Sequence, residues 1–259
     1  LIVDHYGLWE DWHLAVGVSS SKIMVIDDLA DRRHHCHLLV DQNLGAESLG
    51  YDNLVHSNCV TLFGPQYALL RPEFRSYRDR SIVRRMQGGF KSILVNFGGG
   101  NPSDYIGRTL DALLRANIPD TISISIIYGG MAKINMEHEC LIEKIPNNVT
   151  TYEMVNNMAE ILTNTDLVIG AAGSSVWERC CLGVPSIVFP VALNQSTIAR
   201  NLSACGAAFT QDNQDLITGD FGELVMDILN SNKLNKMTEV ASNLCDGTGM
   251  ERIINELNV

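Results

Sequence analysis

The chain has 259 residues and a mass of 28.5 kDa, enough for one large domain or two small ones with a proper core. Apolar residues make up 46% and charged ones 19%, and a mean hydropathy of +0.04 excludes a disordered tail. Nineteen Lys and Arg against 30 Asp and Glu leave a net charge of −11, which argues against a nucleic-acid binder, although local backbone N–H groups can still hold a nucleotide.

No apolar run reaches the roughly 18 residues that a membrane span needs, so no membrane insertion is expected. The seven cysteines are 36, 59, 140, 180, 181, 205 and 245. Their odd number, the adjacent pair and the lack of a CxxC spacing predict reduced thiols and a cytoplasmic location. Leu1-Ile2-Val3 reads as a strand already under way, with no signal-peptide pattern ahead of it. The chain is therefore read as lacking its natural N-terminal segment.

Strands and helices then alternate. Residues 1–3 form a short apolar strand ending in Asp4-His5-Tyr6-Gly7, and 8–18 fit a helix. Apolar runs at 22–28, 37–43 and 59–64 stop at polar residues, the pattern of a parallel α/β sheet. Residues 75–91 break the rhythm with Arg75, Arg78, Arg80, Arg84, Arg85 and Lys91. They read as a solvated helix and linker, or as a contact to an anionic group at a domain seam. A second series follows: strand 92–100, helix 103–117 with Ser103 as N-cap, strand 121–130, and a segment at 148–165 that turns from strand to helix. Strand 166–175, helix 176–183, strand 184–191 and helix 195–206 come next, and residues 221–258 supply two more helices. The expected domains are 1–86, the remainder of an α/β domain with its linker, and 87–259, a complete doubly wound domain.

Such sheets bind ligands at the carboxyl ends of their strands. In Gly170–Ser186 a strand ends, Gly170 and Gly173 let the backbone turn tightly, and Ser174 and Ser175 start a helix. Free N–H groups, two hydroxyls and the positive helix end suit a diphosphate. Glu178, a turn further on, suits a ribose diol. The plainer reading is a Ser-capped turn. Gly98 and Gly99, in the strand end SILVNFGGG, offer N–H groups to an anion but match neither GxGxxG nor a Walker loop. Asn194 and Gln195 suit sugar hydroxyls or acetamido groups, or simply cap a helix. His5 and Tyr6 can exchange hydrogen bonds with a reacting oxygen. Arg71 carries a planar fork suited to phosphate or carboxylate and, before Pro72, is expected to be extended. Asp27, Asp28 and Asp31 read as capping groups and a partner for Arg32 rather than as metal ligands. His34-His35-Cys36-His37 alternate faces in an extended strand, so no zinc site is expected there.

LIVDHYG, IDDLADR with HHCHLLVDQNLG, GPQYALLRPEF, ILVNFGGGNP, IGAAGSSVWERCCLGVPS and NQST occur in this order. From Leu1 to about Gly206 the chain resembles the UDP-2,4-diacetamido-2,4,6-trideoxy-β-L-altropyranose hydrolases of pseudaminic acid synthesis. The resemblance implies two Rossmann-like doubly wound domains of the glycosyltransferase B type, the first incomplete. It implies that the C-terminal domain holds UDP, with Glu178 on the ribose and Ser174 and Ser175 on the diphosphate. Asn194 would contact the sugar, Arg71 the substrate, and Tyr6 would be an active-site tyrosine. The family's Gly-x-Gly-His-x-x-Arg loop, whose His is its proposed base, does not occur in these 259 residues. His5 is the fallback.

The implied reaction is inverting attack of water at the anomeric carbon with release of UDP, without cofactor or metal. The implied partners are the UDP-sugar and neighbouring enzymes of the pathway. Two alternatives stay open: a glycosyltransferase using a UDP-sugar donor, and a non-catalytic UDP-sugar-binding fragment.

Overall fold

A computed structural model describes residues 1–17, 22–99, 103–116, 118–130, 133–212, 220–229 and 232–258. The chain divides into two compact units, Leu1–Arg71 with Cys245–Val259, and Pro72–Leu244.

The first unit is built on a parallel sheet of four strands, β1 (Ile2–Val3), β2 (Met24–Ile26), β3 (Leu38–Asp41) and β4 (Val60–Phe63), in that spatial order. Val3 pairs with Val25, Ile26 with Val40, and Asp41 with Phe63. Every residue of β3 is buried, as a strand covered on both faces requires. Helix α1 (Glu10–Gly17) follows β1. On one face Val3, Val25, Leu39 and Tyr51 pack together. On the other, Met24, Leu38, Val40 and Leu62 are covered by Ile253 and Leu257 of the last helix, α10 (Gly249–Asn258). That helix is tied down where Arg252 donates to the Gln66 carbonyl at 2.7 Å and Lys22 Nζ donates to the Leu257 carbonyl at 2.8 Å. A Cβ at Gly249 would fall 2.5 Å from the Ala68 carbonyl oxygen, so the helix start lies directly on backbone.

The second unit has six parallel strands: β5 (Ser92–Asn96), β6 (Ser123–Ile127), β7 (Val149–Tyr152), β8 (Leu167–Ala171), β9 (Ser186–Phe189) and β10 (Phe209–Thr210). Their spatial order is β10-β9-β8-β5-β6-β7. The helices are α2 (Pro72–Met86), α3 (Ser103–Arg115), α4 (Met136–Lys144), α5 (Met158–Thr163), α6 (Ser175–Cys181), α7 (Gln195–Cys205), α8 (Asp220–Leu229) and α9 (Lys233–Leu244). Ile106, Leu110 and Leu113 of α3, three to four residues apart on one face, pack with Val95, Ile124, Ile126 and Ile169. Both units are parallel α/β sheets consistent with the Rossmann-like domains of the glycosyltransferase B type, and in the second the strand order reverses as double winding requires.

Several details differ from the sequence reading. Residues 221–258 carry parts of three helices rather than two, and Gly247 at φ +81° turns the chain before the third. Neither α4 nor β10 was anticipated. Arg75 and Arg80 of α2 are exposed, as a solvated face predicts, but Arg78 donates to the carbonyls of Cys181 and Ser242, and Arg84 bonds Asp166 at 2.5 Å. Buried Arg85 donates to the carbonyls of Ser81, Leu162, Thr165 and Leu182. These ties hold α2 within the second unit, whereas the sequence reading placed its domain boundary at residue 86. The units part instead at Arg71, and α10 returns to the first.

Candidate functional site

From β5 the chain moves outward through β6 and β7, returns to β8 beside β5, then continues to β9 and β10. The strand order therefore reverses between β5 and β8, and a crevice opens at the carboxyl ends of strands where such a reversal occurs. Asn96 pairs with Gly170 there, so the two glycine-bearing loops singled out in the sequence flank this point.

Glycine is required by contact. A Cβ at Gly170 would lie 2.0 Å from the Asn96 carbonyl oxygen, one at Gly129 would lie 2.9 Å from that of Gly98, and one at Gly130 only 1.8 Å from that of Gly99. Backbone thus lies on backbone between the loops after β5 and β6, and between strands β5 and β8 at Asn96 and Gly170. Gly98 also holds φ at +84°, a left-handed conformation that suits glycine. Gly100 falls outside the described residues.

Ser174 occupies the N-cap of α6, but its side chain makes no capping bond, contrary to the capping expected from the sequence. Ser174 is exposed. Ser175 and Glu178 are half-buried on the same short helix. The Gln195 side chain joins this loop to the next: its Oε1 accepts from the Val191 N–H at 3.0 Å, and its Nε2 stands 3.2 Å from where a Gly173 Cβ would be. Asn194 is exposed at the N-cap of α7, again without a side-chain capping bond. Gly98, Gly99, Gly173, Ser174, Ser175, Glu178, Asn194 and Gln195 all follow the carboxyl ends of three strands, β5, β8 and β9, adjacent in the sheet.

Sequence reasoning missed Arg179. It is 3% exposed and donates to the carbonyls of Ala171 and Ser175, while its Nη1 has no hydrogen-bond partner. Burial pushes its pKa down to about 10, so it stays charged at neutral pH beneath the Gly170–Ser175 loop. An arginine between the apolar Trp177 and two buried cysteines was the available signal.

In the first unit, Tyr6 is 58% exposed after β1, and the Arg32 guanidinium carbon lies 5.8 Å from its ring centroid. Burial, a hydrogen bond to Asp28 and the charges of Asp28, Asp4 and Asp27 raise the phenol to about 12, so it is held protonated. The His5 ring folds back, with Nδ1 accepting the Gly7 N–H at 2.9 Å. A neutral His5 therefore carries its proton on Nε2. Arg71 is exposed at the end of this unit.

Asp27 and Arg32 pair as the sequence reading expected, at 2.6 Å, and Arg32 also meets Asp31 at 2.7 Å. Asp27 caps a turn rather than a helix, its Oδ2 accepting from the N–H groups of Leu29 and Ala30. The same oxygen lies 2.9 Å from the buried Tyr51 hydroxyl, which also lies 3.0 Å from Asp41 Oδ2. Burial raises Asp27, but His34, 3.7 Å away, the Ala30 N–H, Tyr51 and Arg32 outweigh it and hold the carboxyl well below its usual range. Asp41 is pushed up to about 7, chiefly by burial. No local spacing in the sequence joins Tyr51 to Asp27. Among the described residues no group of three or more His, Cys, Asp or Glu is placed to hold a metal ion, and no helix is long and apolar enough to cross a membrane.

The fold is that of the glycosyltransferase B class. MurG of Acinetobacter baumannii superimposes with a TM-score of 0.67 at 17% identity, over 98% of this chain and 71% of that one. Residues 97–256 match the glycosyltransferase family 28 C-terminal domain, and the chain belongs to that family. It is similar to the UDP-2,4-diacetamido-2,4,6-trideoxy-beta-L-altropyranose hydrolase of Campylobacter jejuni, with 28% identity over 80% of this chain and 71% of that protein. It is also similar to the spore coat polysaccharide biosynthesis protein SpsG of Bacillus subtilis, with 30% identity over 67% of this chain and 48% of that protein. The chain spans less than half the length of two of the curated relatives it matches.

Proposed function

We propose that the chain binds a UDP-linked sugar and serves the hydrolysis of a UDP-linked 2,4-diacetamido-2,4,6-trideoxy sugar to UDP and free sugar. The observation that carries the reading is the set of glycine loops at the strand reversal, with the buried Arg179 charge beneath one of them. Backbone N–H groups, the hydroxyls of Ser174 and Ser175 and that charge suit a diphosphate, and Glu178 suits a ribose diol. The similarity to the Campylobacter jejuni hydrolase supports the choice of reaction.

In this reaction a water oxygen attacks the anomeric carbon on the face opposite UDP. The bond from that carbon to the diphosphate oxygen breaks, UDP leaves with the bonding pair, and a base takes the water proton. Stabilising the charge on the leaving diphosphate is the largest task, and a cradle of N–H donors performs it. Asn194 and Gln195 suit the acetamido groups, and Tyr6 and Arg71 are proposed on the substrate from the first unit.

Membership of a glycosyltransferase family supports a second reading, transfer of the sugar from UDP to a hydroxyl acceptor. Fold alone does not separate the two. Calorimetry of UDP against the 259-residue chain tests the binding shared by both, and absence of a UDP-dependent heat would sink it. Incubation with the UDP-sugar then discriminates: free sugar without any acceptor supports hydrolysis, and turnover only with an acceptor alcohol supports transfer.

A further inference from the structure

The loops after β1 and β2 meet at Tyr6, and a buried hydrogen-bonded column stands behind it. At its inner end the Tyr51 hydroxyl lies within 3.0 Å of both Asp27 and Asp41. A phenol has one proton, so it can donate to only one carboxylate and the other must donate to it. Asp27 faces Arg32 at 2.6 Å and stays ionised, so the donor is Asp41. The column thus runs from protonated Asp41 through Tyr51 to ionised Asp27, then to Arg32, whose side chain is only 4% exposed. Asp31 grips the same guanidinium at 2.7 Å, which fixes its plane. The outer end of the column is the Tyr6 ring, 5.8 Å from the guanidinium carbon. Burial, and after it the Asp28 carboxylate that neighbours Asp27 in sequence, raise the phenol of Tyr6.

We propose that Arg32 is a positioning residue for Tyr6: its guanidinium, held by Asp27 and Asp31, keeps the ring in one place. The role of Tyr6 itself rests on the function proposed above. A phenol held in place meets a water or a sugar hydroxyl and orients that group. An exposed tyrosine on a free loop would wander through its rotamers. A planar cation pinned by two carboxylates removes that freedom at a modest cost, because the guanidinium is already ordered by Asp27 and Asp31.

One measurement on the 259-residue chain decides this without substrate. The carbon-13 resonance of the Tyr6 ring, identified by its loss in Tyr6→Phe, reports its contact with Arg32. Arg32→Lys keeps the charge and removes the plane, and should move that resonance to the position of a solvated tyrosine while circular dichroism shows a folded chain. An unmoved resonance overturns the role of Arg32. Should Arg32→Lys unfold the chain, Arg32→Gln, planar and uncharged, is read instead, with the same resonance shift expected. Failure of the chain to bind UDP would sink the proposed function and leave this result standing, so the two ideas fail separately.

Discussion

Charge placement governs the expected effects of single residues. Glu178 is half-buried one turn into α6, behind the two serines. If it accepts from a ribose diol, Glu178→Ala should weaken UDP binding by about 1–3 kcal/mol, the range for a hydrogen bond to a charged group. Calorimetry showing unchanged UDP affinity in that variant removes Glu178 from the site. Asp41 predicts a pH effect. Its folded pKa is raised from 3.8 to about 7, so its contribution to stability is fully present below its unfolded pKa and lost as pH rises through about 7. His13, pushed down to about 4 mainly by burial, acts with the opposite sign between that value and 6.5. The comparison is therefore made between wild type and Asp41→Asn at each pH. The variant carries no titrating group at this position, so its urea midpoint should gain on the wild type as pH is raised from about 5 to about 8. A constant difference between the two midpoints would mean that Asp41 keeps an ordinary pKa. The Asp27–Arg32 pair was legible in IDDLADR because the partners are close in sequence. The Tyr51 bridge was not, because sequence spacing says nothing about which strand ends become neighbours.

At the scale of elements, close backbone contacts identify the sensitive positions. Helix α10 covers one apolar face of the first sheet, and its first residue lies against the backbone of Tyr67 and Ala68. A methyl at Gly249 would meet three backbone atoms within 2.6 Å, none able to rotate away. Gly249→Ala should therefore lift the helix start and destabilise the chain by about 1–3 kcal/mol, the usual cost of forcing atoms into a packed site. Thermal unfolding measures it, and a melting temperature equal to wild type would refute the contact. Gly99, with nothing within 4 Å of its Cβ position, is the matched control for loss of a glycine in an open loop. Strand positions were legible from short apolar runs that end in polar residues, and α3 from Ile106, Leu110 and Leu113 at helical spacing. The partners of the α2 arginines were not. Six basic residues in 75–91 look solvated in a linear reading, and only packing shows Arg78, Arg84 and Arg85 serving helix-end carbonyls and Asp166.

For the whole molecule, the expectation concerns binding against turnover. The Gly-x-Gly-His-x-x-Arg loop does not occur in these 259 residues, and the His5 Nδ1 is engaged by the Gly7 N–H. The chain as given should bind the UDP-sugar yet release UDP slowly, since loss of a general base typically costs about 10²–10⁴-fold. Chromatographic measurement of UDP release decides this, by comparison with a longer form carrying that loop ahead of Leu1. Equal rates in the two forms would require a base within these residues. The sequence alone determined the class of fold, the candidate loops and the family resemblance, because hydrophobic periodicity, glycine clusters and motif order are local or linear properties. The adjacency of β5 and β8, which makes two loops distant in sequence into one candidate site, was decided only in three dimensions. So were the return of α10 to the first unit and the column behind Tyr6. Strand order and buried proton sharing depend on which segments pack side by side, and that is settled by the burial of many residues at once rather than by any local pattern.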